Sequence, residues 1–404
     1  MKSSLILTSL LSLMAVVSQA KMMRLELQTV EQPSVAHTVK SFFSQTSSSD
    51  DSSTQVPFSG LHQGSHTLPI SEKVFVRTVK IELGNPPQSF RVALDLSSSN
   101  FYVVSSHCIQ FSCYQARKYN SSQSTTHQPN GKVFTIPIEV QGIVSQDTLY
   151  LGGIEVPRQE FGEGLTFPYF SPGLFDFDGS LGLAYDENKP GSSVTGRVSI
   201  IRNLLSNPQV DETVFGLYLA SLRDNAPRGE FTIGGLERRR FRGNLHWYDV
   251  VKPGQWVIPL KGASFVRGRR VESILFEPEV THGLIDPGYQ NIYLGVEATK
   301  AINQRLGAER QKANEPYTRP CEGGIELEDV GITIGNVDYW LTPAEYMIRT
   351  RDGLTCYSVF DELRPDGLDA EKRGFSAVLG HVFLKKYYSA YDFGRHRVAL
   401  ALAN

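Results

Sequence analysis

Two short segments of the sequence each place an aspartate directly after an apolar run, and this repeated pattern most constrains the fold. Residues 93–100 read ALDLSSSN and contain Asp95, and residues 284–289 read LIDPGY and contain Asp286. An apolar strand that ends in a carboxylate leaves that carboxylate half buried at the end of a sheet, where pKa values shift. The pattern predicts two related halves of the chain whose aspartates form one acid–base site. A solvated turn aspartate, which is also common after a strand, is the alternative for each residue alone.

From residue 74 onward the sequence is typical of a mainly β protein. Runs rich in β-branched residues alternate with turn residues, and the strand–helix–strand rhythm of a doubly wound sheet is missing. The predicted strands cover residues 74–83, 90–94, 132–140, 148–156, 229–235, 256–260 and 331–341. The predicted helices cover residues 198–205, 296–306 and 343–348. Each half also contains a later hydrophobic-hydrophobic-Gly unit, ending at Gly182 and at Gly380. We therefore expect two β lobes that meet at a cleft, an N-terminal lobe over residues 71–246 and a C-terminal lobe over residues 247–404.

The first 20 residues are typical of a secretory signal peptide. Lys2 precedes an apolar run over residues 5–17, and Ser18-Gln19-Ala20 offers small residues for cleavage. A membrane anchor is the alternative, but the run is short for a bilayer. Residues 21–70 predict a pro-region or linker, since the polar run TSSSDDSST at residues 46–54 has nothing to bury; a disordered tail is the alternative. We expect a secreted protein, or one in the lumen of the secretory or endolysosomal route.

The net charge bears on which partners the protein can bind, and the cysteines bear on disulfides and metal sites. A net charge of −2 gives no electrostatic reason to expect nucleic acid or an anionic membrane as a partner, and we expect a soluble monomer. The cysteines Cys108, Cys113, Cys321 and Cys356 fit two local disulfides in an exported protein, although the other two connectivities stay open. A zinc site is a weaker alternative, because the sequence has no C-x-x-C and no clustered histidines. Asn120-Ser121-Ser122 is a glycosylation sequon in a polar stretch.

Several segments, taken in chain order, resemble the pepsin-like family of aspartic proteases (family A1). The resemblance runs from about residue 74 to the C-terminus. The segments are residues 83–90 (LGNPPQSF), 95–100 (DLSSSN), 177–185 (FDGSLGLAY), 229–235 (GEFTIGG), 245–247 (LHW) and 378–384 (VLGHVFL), together with the two cysteine pairs. It implies a bilobal β fold, disulfides Cys108–Cys113 and Cys321–Cys356, and a peptide or protein bound in the interlobe cleft, with no cofactor or metal. Fold alone does not establish activity.

The resemblance also assigns roles to the residues of the site. It implies that Asp95 and Asp286 are the catalytic pair, one ionised to activate water and one protonated to polarise the scissile carbonyl. Ser98 is expected to give its hydroxyl to Asp95. Gly288 is expected to let backbone approach Asp286 closely.

The residues after each aspartate depart from the family pattern. The family has a threonine there that reaches across the lobe junction, whereas this chain has Leu96, without a hydroxyl, and Pro287, without a hydroxyl or a backbone N–H. Ser97 replaces a glycine, so its Cβ adds bulk where the backbone has to approach the carboxyl groups. Tyr289 is too large to replace a small hydroxyl residue. We expect the geometry of the pair to be poorly held.

The flap, the hairpin that covers the cleft in the family, departs as well. The comparable stretch, residues 134–143, is about three residues shorter, lacks the family's tyrosine and contains Pro137; Tyr102 stands where a tryptophan usually supports the flap. These losses predict a homologue that is weakly active or inactive and keeps a peptide-binding cleft. The alternative is an active aspartic endopeptidase that hydrolyses peptide bonds in proteins at acidic pH. A structural or storage role has no positive support in the sequence.

Overall fold

The computed structural model describes residues 65–69, 71–73, 76–137, 139–168, 177–184, 193, 195, 199–219, 229–252, 254–276, 281–312, 315–351, 353–363 and 374–404. The signal peptide expected at residues 1–20 lies outside these residues, as does nearly all of the pro-region expected at residues 21–70, so both stay predictions. Strands predominate in the described part of the chain, and the mainly β prediction is confirmed.

Among the described residues, the first part of the chain runs through strands with one α-helix. The strands are β1 (His66–Pro69), β2 (Ser71–Lys73), β3 (Val76–Leu83), β4 (Gln88–Asp95), β5 (Phe101–Val104), β6 (Gln128–Ile136), β7 (Val140–Leu151), β8 (Ile154–Thr166), β9 (Gly179–Gly182), β10 (Val214–Leu219), β11 (Gly229–Ile233) and β12 (Phe241–Asp249). The α-helix is α1 (Ile200–Leu205), and 3-10 turns cover Phe111–Cys113, Ser121–Gln123 and Arg238–Arg240.

The second part has shorter strands and more helix. The strands are β13 (Val257–Pro259), β14 (Gly262–Arg267), β15 (Arg270–Leu275), β16 (His282–Ile285), β17 (Ile292–Leu294), β18 (Thr318–Pro320), β19 (Asp329–Ile334), β20 (Val337–Leu341), β21 (Met347–Arg349), β22 (Thr355–Ser358), β23 (Phe360–Glu362), β24 (Ala377–Leu379), β25 (Tyr387–Asp392) and β26 (Arg397–Ala403). The helices are α2 (Val296–Arg305), α3 (Pro343–Tyr346) and α4 (His381–Lys386).

The sheets divide the molecule into two lobes and a sheet that joins them. The N-terminal lobe is built on one sheet in the order β2-β3-β4-β9-β5-β8-β7-β6. The C-terminal lobe is built on the sheets β13-β16-β24-β17-β23, β15-β14-β19-β20 and β18-β22-β21. The junction sheet, β1-β11-β10-β25-β26-β12, takes strands from both ends of the chain. The boundary predicted after residue 246 lies inside β12, a strand of the junction sheet, so the exact division of the chain stays a prediction.

The two aspartate-bearing strands share one local arrangement. β4 pairs in parallel with β9, with Asp95 opposite Gly182, and β16 pairs in parallel with β24, with Ile285 opposite Leu379. Each partner strand ends in the hydrophobic-hydrophobic-Gly unit that the sequence shows twice. The loop after each aspartate passes directly over that glycine: a Cβ on Gly182 would lie 2.5 Å from Asn100 backbone, and one on Gly380 would lie 2.5 Å from the Tyr289 carbonyl. Glycine is required at both places because of this close approach.

A buried aromatic cluster lies where the lobes meet the junction sheet. Trp256 is fully buried and packs edge-on against Phe215 and Tyr391, with ring centroids 5.6 and 5.2 Å away. Phe215 and Tyr391 stack at 4.6 Å and come from the paired strands β10 and β25. Burial of these rings gives the junction a dry, rigid base.

Both disulfides expected from the resemblance are confirmed. Cys108 is bonded to Cys113 with a Cα–Cα distance of 6.3 Å, and Cys321 is bonded to Cys356 at 4.9 Å. Since all four cysteines are oxidised, the other connectivities and a cysteine zinc site are excluded.

Three of the predicted strands are wrong in their extent, because each contains a reversal of the chain. The strand predicted at residues 132–140 is interrupted by the turn between β6 and β7. The one at residues 148–156 turns at Gly152-Gly153, whose φ angles of 60° and 85° are left-handed, and the one at residues 331–341 turns at Gly335, with φ 58°. Helix α4 was not predicted, and the helix predicted at residues 343–348 ends at Tyr346.

Candidate active site at the lobe junction

Asp95 ends strand β4 and is held by the residue two positions later. The Asp95 side chain is half buried, and its Oδ1 accepts hydrogen bonds from the Ser97 backbone N–H at 2.9 Å and from the Ser97 hydroxyl at 2.6 Å. From the sequence, the Cβ of Ser97 is expected to obstruct the site. In the structure Ser97 contributes two donors to the carboxylate, so its side chain holds Asp95 in place.

Asp286 follows strand β16 and has a matching donor. Its side chain is 2% exposed, and its Oδ1 accepts the Gly288 backbone N–H at 2.7 Å. A Cβ on Gly288 would lie 2.9 Å from that same Oδ1 and 3.3 Å from Cγ, so the close approach depends on glycine. The two aspartates therefore accept equivalent backbone hydrogen bonds, as the repeated sequence pattern leads one to expect.

Hydrogen bonds connect the ends of the two aspartate-bearing strands across the junction. The Leu183 N–H donates to the Asp95 carbonyl at 2.7 Å, and the Trp256 indole Nε1–H donates to the Leu183 carbonyl at 2.7 Å. The Ile285 N–H, next to Asp286, donates to the Trp256 carbonyl at 3.0 Å. Since Trp256 is fully buried, this chain of bonds ties both strand ends to the rigid base of the junction.

A buried arginine makes a contact across the lobes that the sequence analysis missed. Arg77, in strand β3, is 4% exposed, and its Nη1–H donates to the Pro287 carbonyl at 2.6 Å. Its Nη2 lies 3.4 Å from the Gln290 Oε1. Leu96 is fully buried within the apolar core and, as expected, has no polar group with which to grip the other lobe. In the sequence Arg77 is one of three charged residues in this strand, with Lys80 and Glu82, so the pattern did not indicate that it is buried.

Ser98 lies beside Asp95, in the loop that crosses Gly182. Its Oγ accepts hydrogen bonds from the Asn100 backbone N–H at 3.1 Å and from the Asn100 Nδ2 at 3.0 Å. Both of these contacts use the hydroxyl oxygen as acceptor, so its hydrogen is free to be donated elsewhere. The expected donation from Ser98 to Asp95 stays a prediction.

The flap is the hairpin of β6 and β7, and a hydrogen bond from Tyr102 fixes the end of its turn. Tyr102 is 1% exposed, and its hydroxyl donates to the Glu139 Oε1 at 2.8 Å. Burial, followed by the charges of Glu139 and Asp95, raises the pKa of Tyr102 well above its ordinary value, so the phenol stays a donor. The pairing of Glu139 in the flap with the tyrosine beneath it was not predicted from the sequence, which showed only that the family's flap tyrosine is missing.

Two further classes of site find no support in the described part of the chain. No group of three or more His, Cys, Asp or Glu side chains there is arranged to hold a metal ion. None of the helices that the structure describes has the length and apolar character needed to cross a membrane.

Comparison with known proteins agrees with this geometry. Residues 78–403 match the family model described as eukaryotic aspartyl protease. Vacuolar protease A of Aspergillus fumigatus is 32% identical over 328 residues, which are 80% of this chain and 78% of that protein. Cathepsin D of Bos taurus is 32% identical over 341 residues, 80% of this chain and 84% of that protein, and human cathepsin D is 31% identical over 343 residues. With the match extending over both lobes and both aspartates, the chain belongs to the eukaryotic aspartyl protease family.

Proposed function

We propose that this chain is an aspartic endopeptidase that hydrolyses peptide bonds within proteins at acidic pH. The observation that carries the proposal is the matched pair of aspartates at the lobe junction, each of which accepts the backbone N–H of the residue two positions later. Relatives named as proteases align with 80% of the chain, which supports the same chemistry for Asp95 and Asp286.

The proposed reaction uses one proton shared by the two carboxyl groups. Like charges within hydrogen-bonding reach of each other do not both ionise readily, so one group is a carboxylate and the other a carboxylic acid. The carboxylate removes a proton from water as the water oxygen bonds to the scissile carbonyl carbon, while the acid protonates the carbonyl oxygen. The carboxyl group that took the water proton then gives it to the nitrogen of the tetrahedral intermediate, while the other carboxylate regains a proton from a hydroxyl of that intermediate. The C–N bond breaks, which releases an acid and an amine.

The expectation of weak or absent activity rests on residues that the family motif has and this chain lacks. Three contacts bear on that expectation: Ser97 donates to Asp95, Arg77 crosses the lobes to Pro287, and Tyr102 anchors the flap. Each contact supplies an interaction of the type that the departures remove. Together with the names of the relatives, these contacts favour the active endopeptidase over a homologue that only binds peptides.

The proposal includes a compartment and a partner. We place the protein outside the cell or in the lumen of the secretory or endolysosomal route, supported by the predicted signal peptide and by relatives named as vacuolar proteases. Its partner is a peptide or protein substrate in the interlobe cleft, and we expect a monomer. Asn120, half exposed and hydrogen-bonded through Oδ1 to the Ser122 hydroxyl at 2.7 Å, is the proposed glycosylation site.

The test is cleavage of denatured globin by the purified protein across acidic and neutral pH, after incubation in acid to release the pro-region. We expect cleavage at acidic pH that falls by at least about a hundredfold in Asp95→Asn and in Asp286→Asn, because each removes one member of the acid–base pair. Asp249→Asn, an exposed aspartate in β12, is the matched control and should be unchanged. Absence of cleavage in the processed wild type, or cleavage that persists in both catalytic variants, would contradict the proposal.

A further inference from the structure

We infer that Arg77 is a positioning residue that joins the two lobes at the Asp286 loop, in place of the hydroxyl contacts that Leu96 and Pro287 cannot make; this inference rests on the proposed function. Arg77 lies on β3, which pairs with β4, and Thr78, the next residue, is opposite Ala93. The arginine therefore starts beside the end of the strand that carries Asp95. Its guanidinium reaches the loop that carries the other aspartate, 210 residues further along the chain.

The guanidinium spans the loop instead of touching one point of it. Nη1 donates to the Pro287 carbonyl at 2.6 Å, and Nη2 lies 3.4 Å from the Gln290 Oε1. Between these two acceptors lies Gly288, whose N–H binds the Asp286 carboxyl group. Proline lacks an N–H but keeps its carbonyl, which remains available as an acceptor. A planar guanidinium has several N–H donors in fixed directions, so it can contact two acceptors of the loop at once, whereas a hydroxyl has a single O–H to donate.

The C-terminal lobe holds the same loop from its other side. The His381 N–H donates to the Tyr289 carbonyl at 2.6 Å, and the Val382 N–H donates to the Gln290 carbonyl at 3.1 Å. Helix α4 thus fixes the loop to its own lobe, and Arg77 fixes it to the N-terminal lobe. With both contacts in place, the position of Asp286 is defined relative to Asp95, which is what a shared-proton pair requires.

The free-energy cost of burying the Arg77 guanidinium argues against a role in which the side chain only fills space in the core. Taking a guanidinium out of water is unfavourable unless its donors are satisfied, and an apolar side chain of similar size usually packs at lower cost. Arg77 is 4% exposed, whereas Lys80 in the same strand is exposed, and two of the Arg77 nitrogens, Nη1 and Nη2, are directed to the loop of the opposite lobe. A residue chosen only for packing would not need those donors.

The test compares Arg77→Met and Arg77→Lys with a matched control, Arg319→Met. Arg319 is also buried, at 7% exposed, and also donates to backbone carbonyls, those of Leu306, Gly323 and Ile325, but all of them lie within the C-terminal lobe. Kinetics on a quenched peptide substrate give kcat and KM separately. Hydrogen exchange of the Gly288 amide reports the order of the loop without any need for turnover.

We expect Arg77→Met to lower kcat by about a hundredfold with little change in KM, since displacement of about 1 Å at the acid–base pair has that effect. We expect Gly288 amide exchange to rise by about tenfold or more, as local opening becomes easier. Arg77→Lys, which keeps the positive charge but only one donor nitrogen, should restore part of both. Arg319→Met should lower the melting temperature while leaving kcat and the exchange of the Gly288 amide unchanged.

The outcomes separate this inference from the proposed function. A wild type without turnover, together with faster Gly288 exchange in Arg77→Met, would refute the peptidase and leave the positioning role intact. Unchanged Gly288 exchange and unchanged kcat in folded Arg77→Met would overturn the positioning role, as would equal effects in Arg319→Met. If Arg77→Met does not fold, Gln290→Ala removes one acceptor without disturbing the buried cation. It should then give smaller effects in the same direction, and no effect on exchange would overturn the inference.

Discussion

Substitution of Gly182 by alanine tests whether the loop after Asp95 needs its present position for catalysis. Gly182 ends strand β9 directly opposite Asp95, and the loop that carries Ser98 and Asn100 passes over it. The neighbouring Leu183 N–H also binds the Asp95 carbonyl. A displacement of this loop is therefore passed directly to one of the two carboxyl groups proposed to be catalytic.

The size of the displacement follows from the distances. A Cβ on Gly182 would lie 2.5 Å from both the N and the O of Asn100 and 2.6 Å from the Ser98 carbonyl oxygen, whereas ordinary contact begins at 3.4 Å. These are backbone atoms that cannot rotate away, so the loop has to move by about 0.9 Å. Such a shift corresponds to a loss of about a hundredfold in kcat, and overpacking of this kind lowers the free energy of unfolding by about 1–3 kcal/mol.

The assay is kcat and KM on a quenched peptide at acidic pH, with thermal unfolding of the same samples. Gly331→Ala in β19 is the matched control, because its Cβ would lie 3.1 Å from the Trp340 ring, far along the chain from either aspartate. It should lower the melting temperature and leave kcat unchanged. A folded Gly182→Ala protein with wild-type kcat would refute the argument that this loop sets the geometry of Asp95.

Three other perturbations test the flap, the acid response and the disulfides. Tyr102→Phe removes the hydroxyl that holds Glu139 but keeps the ring, so we expect KM to rise several-fold with a smaller change in kcat; steady-state kinetics showing neither would contradict a role in flap closure. Burial raises the pKa of Glu345, but hydrogen bonds led by that from Lys386 outweigh it and hold the pKa below 4.5. The ionised Glu345 therefore stabilises the fold above that pH and loses its effect as pH falls, so Glu345→Gln should lower the melting temperature at neutral pH and match the wild type in strong acid. Loss of the Cys321–Cys356 bridge should destabilise more than loss of the other disulfide, because it closes 35 residues against 5; calorimetry that finds equal losses would contradict this.

The fold could be predicted because its local signals agree along the chain. Each aspartate-bearing strand and each hydrophobic-hydrophobic-Gly unit is visible in the sequence, and in the structure the two kinds of strand pair in parallel in both lobes. The residues at which strands begin and end were harder to predict. At Gly152-Gly153 the apolar pattern continues through a tight turn, so alternation alone could not show where one strand ends and the next begins.

The contacts that support the site were harder to predict because they are tertiary. Arg77 and Pro287 are 210 residues apart, and no spacing rule connects an arginine in one lobe to a carbonyl in the other. Ser97 was visible in the sequence, but its backbone direction decides whether the side chain obstructs or donates, and the structure shows that it donates. Glu139 and Tyr102 are 37 residues apart and meet only because the flap folds back over the sheet, so their hydrogen bond could not be predicted from the sequence.

The departures from the family motif therefore do not show by themselves how much activity the site has lost. A motif residue matters through the interaction it makes, and a different residue type at another position can supply an interaction of the same kind. Leu96 and Pro287 remove hydroxyl contacts between the lobes, and Arg77 makes a contact across the same junction that is charged and forked. Because these residues act as a unit, restoring the threonines while Arg77 stays in place would put two sets of cross-lobe contacts on one loop, and their effects on rate would not add.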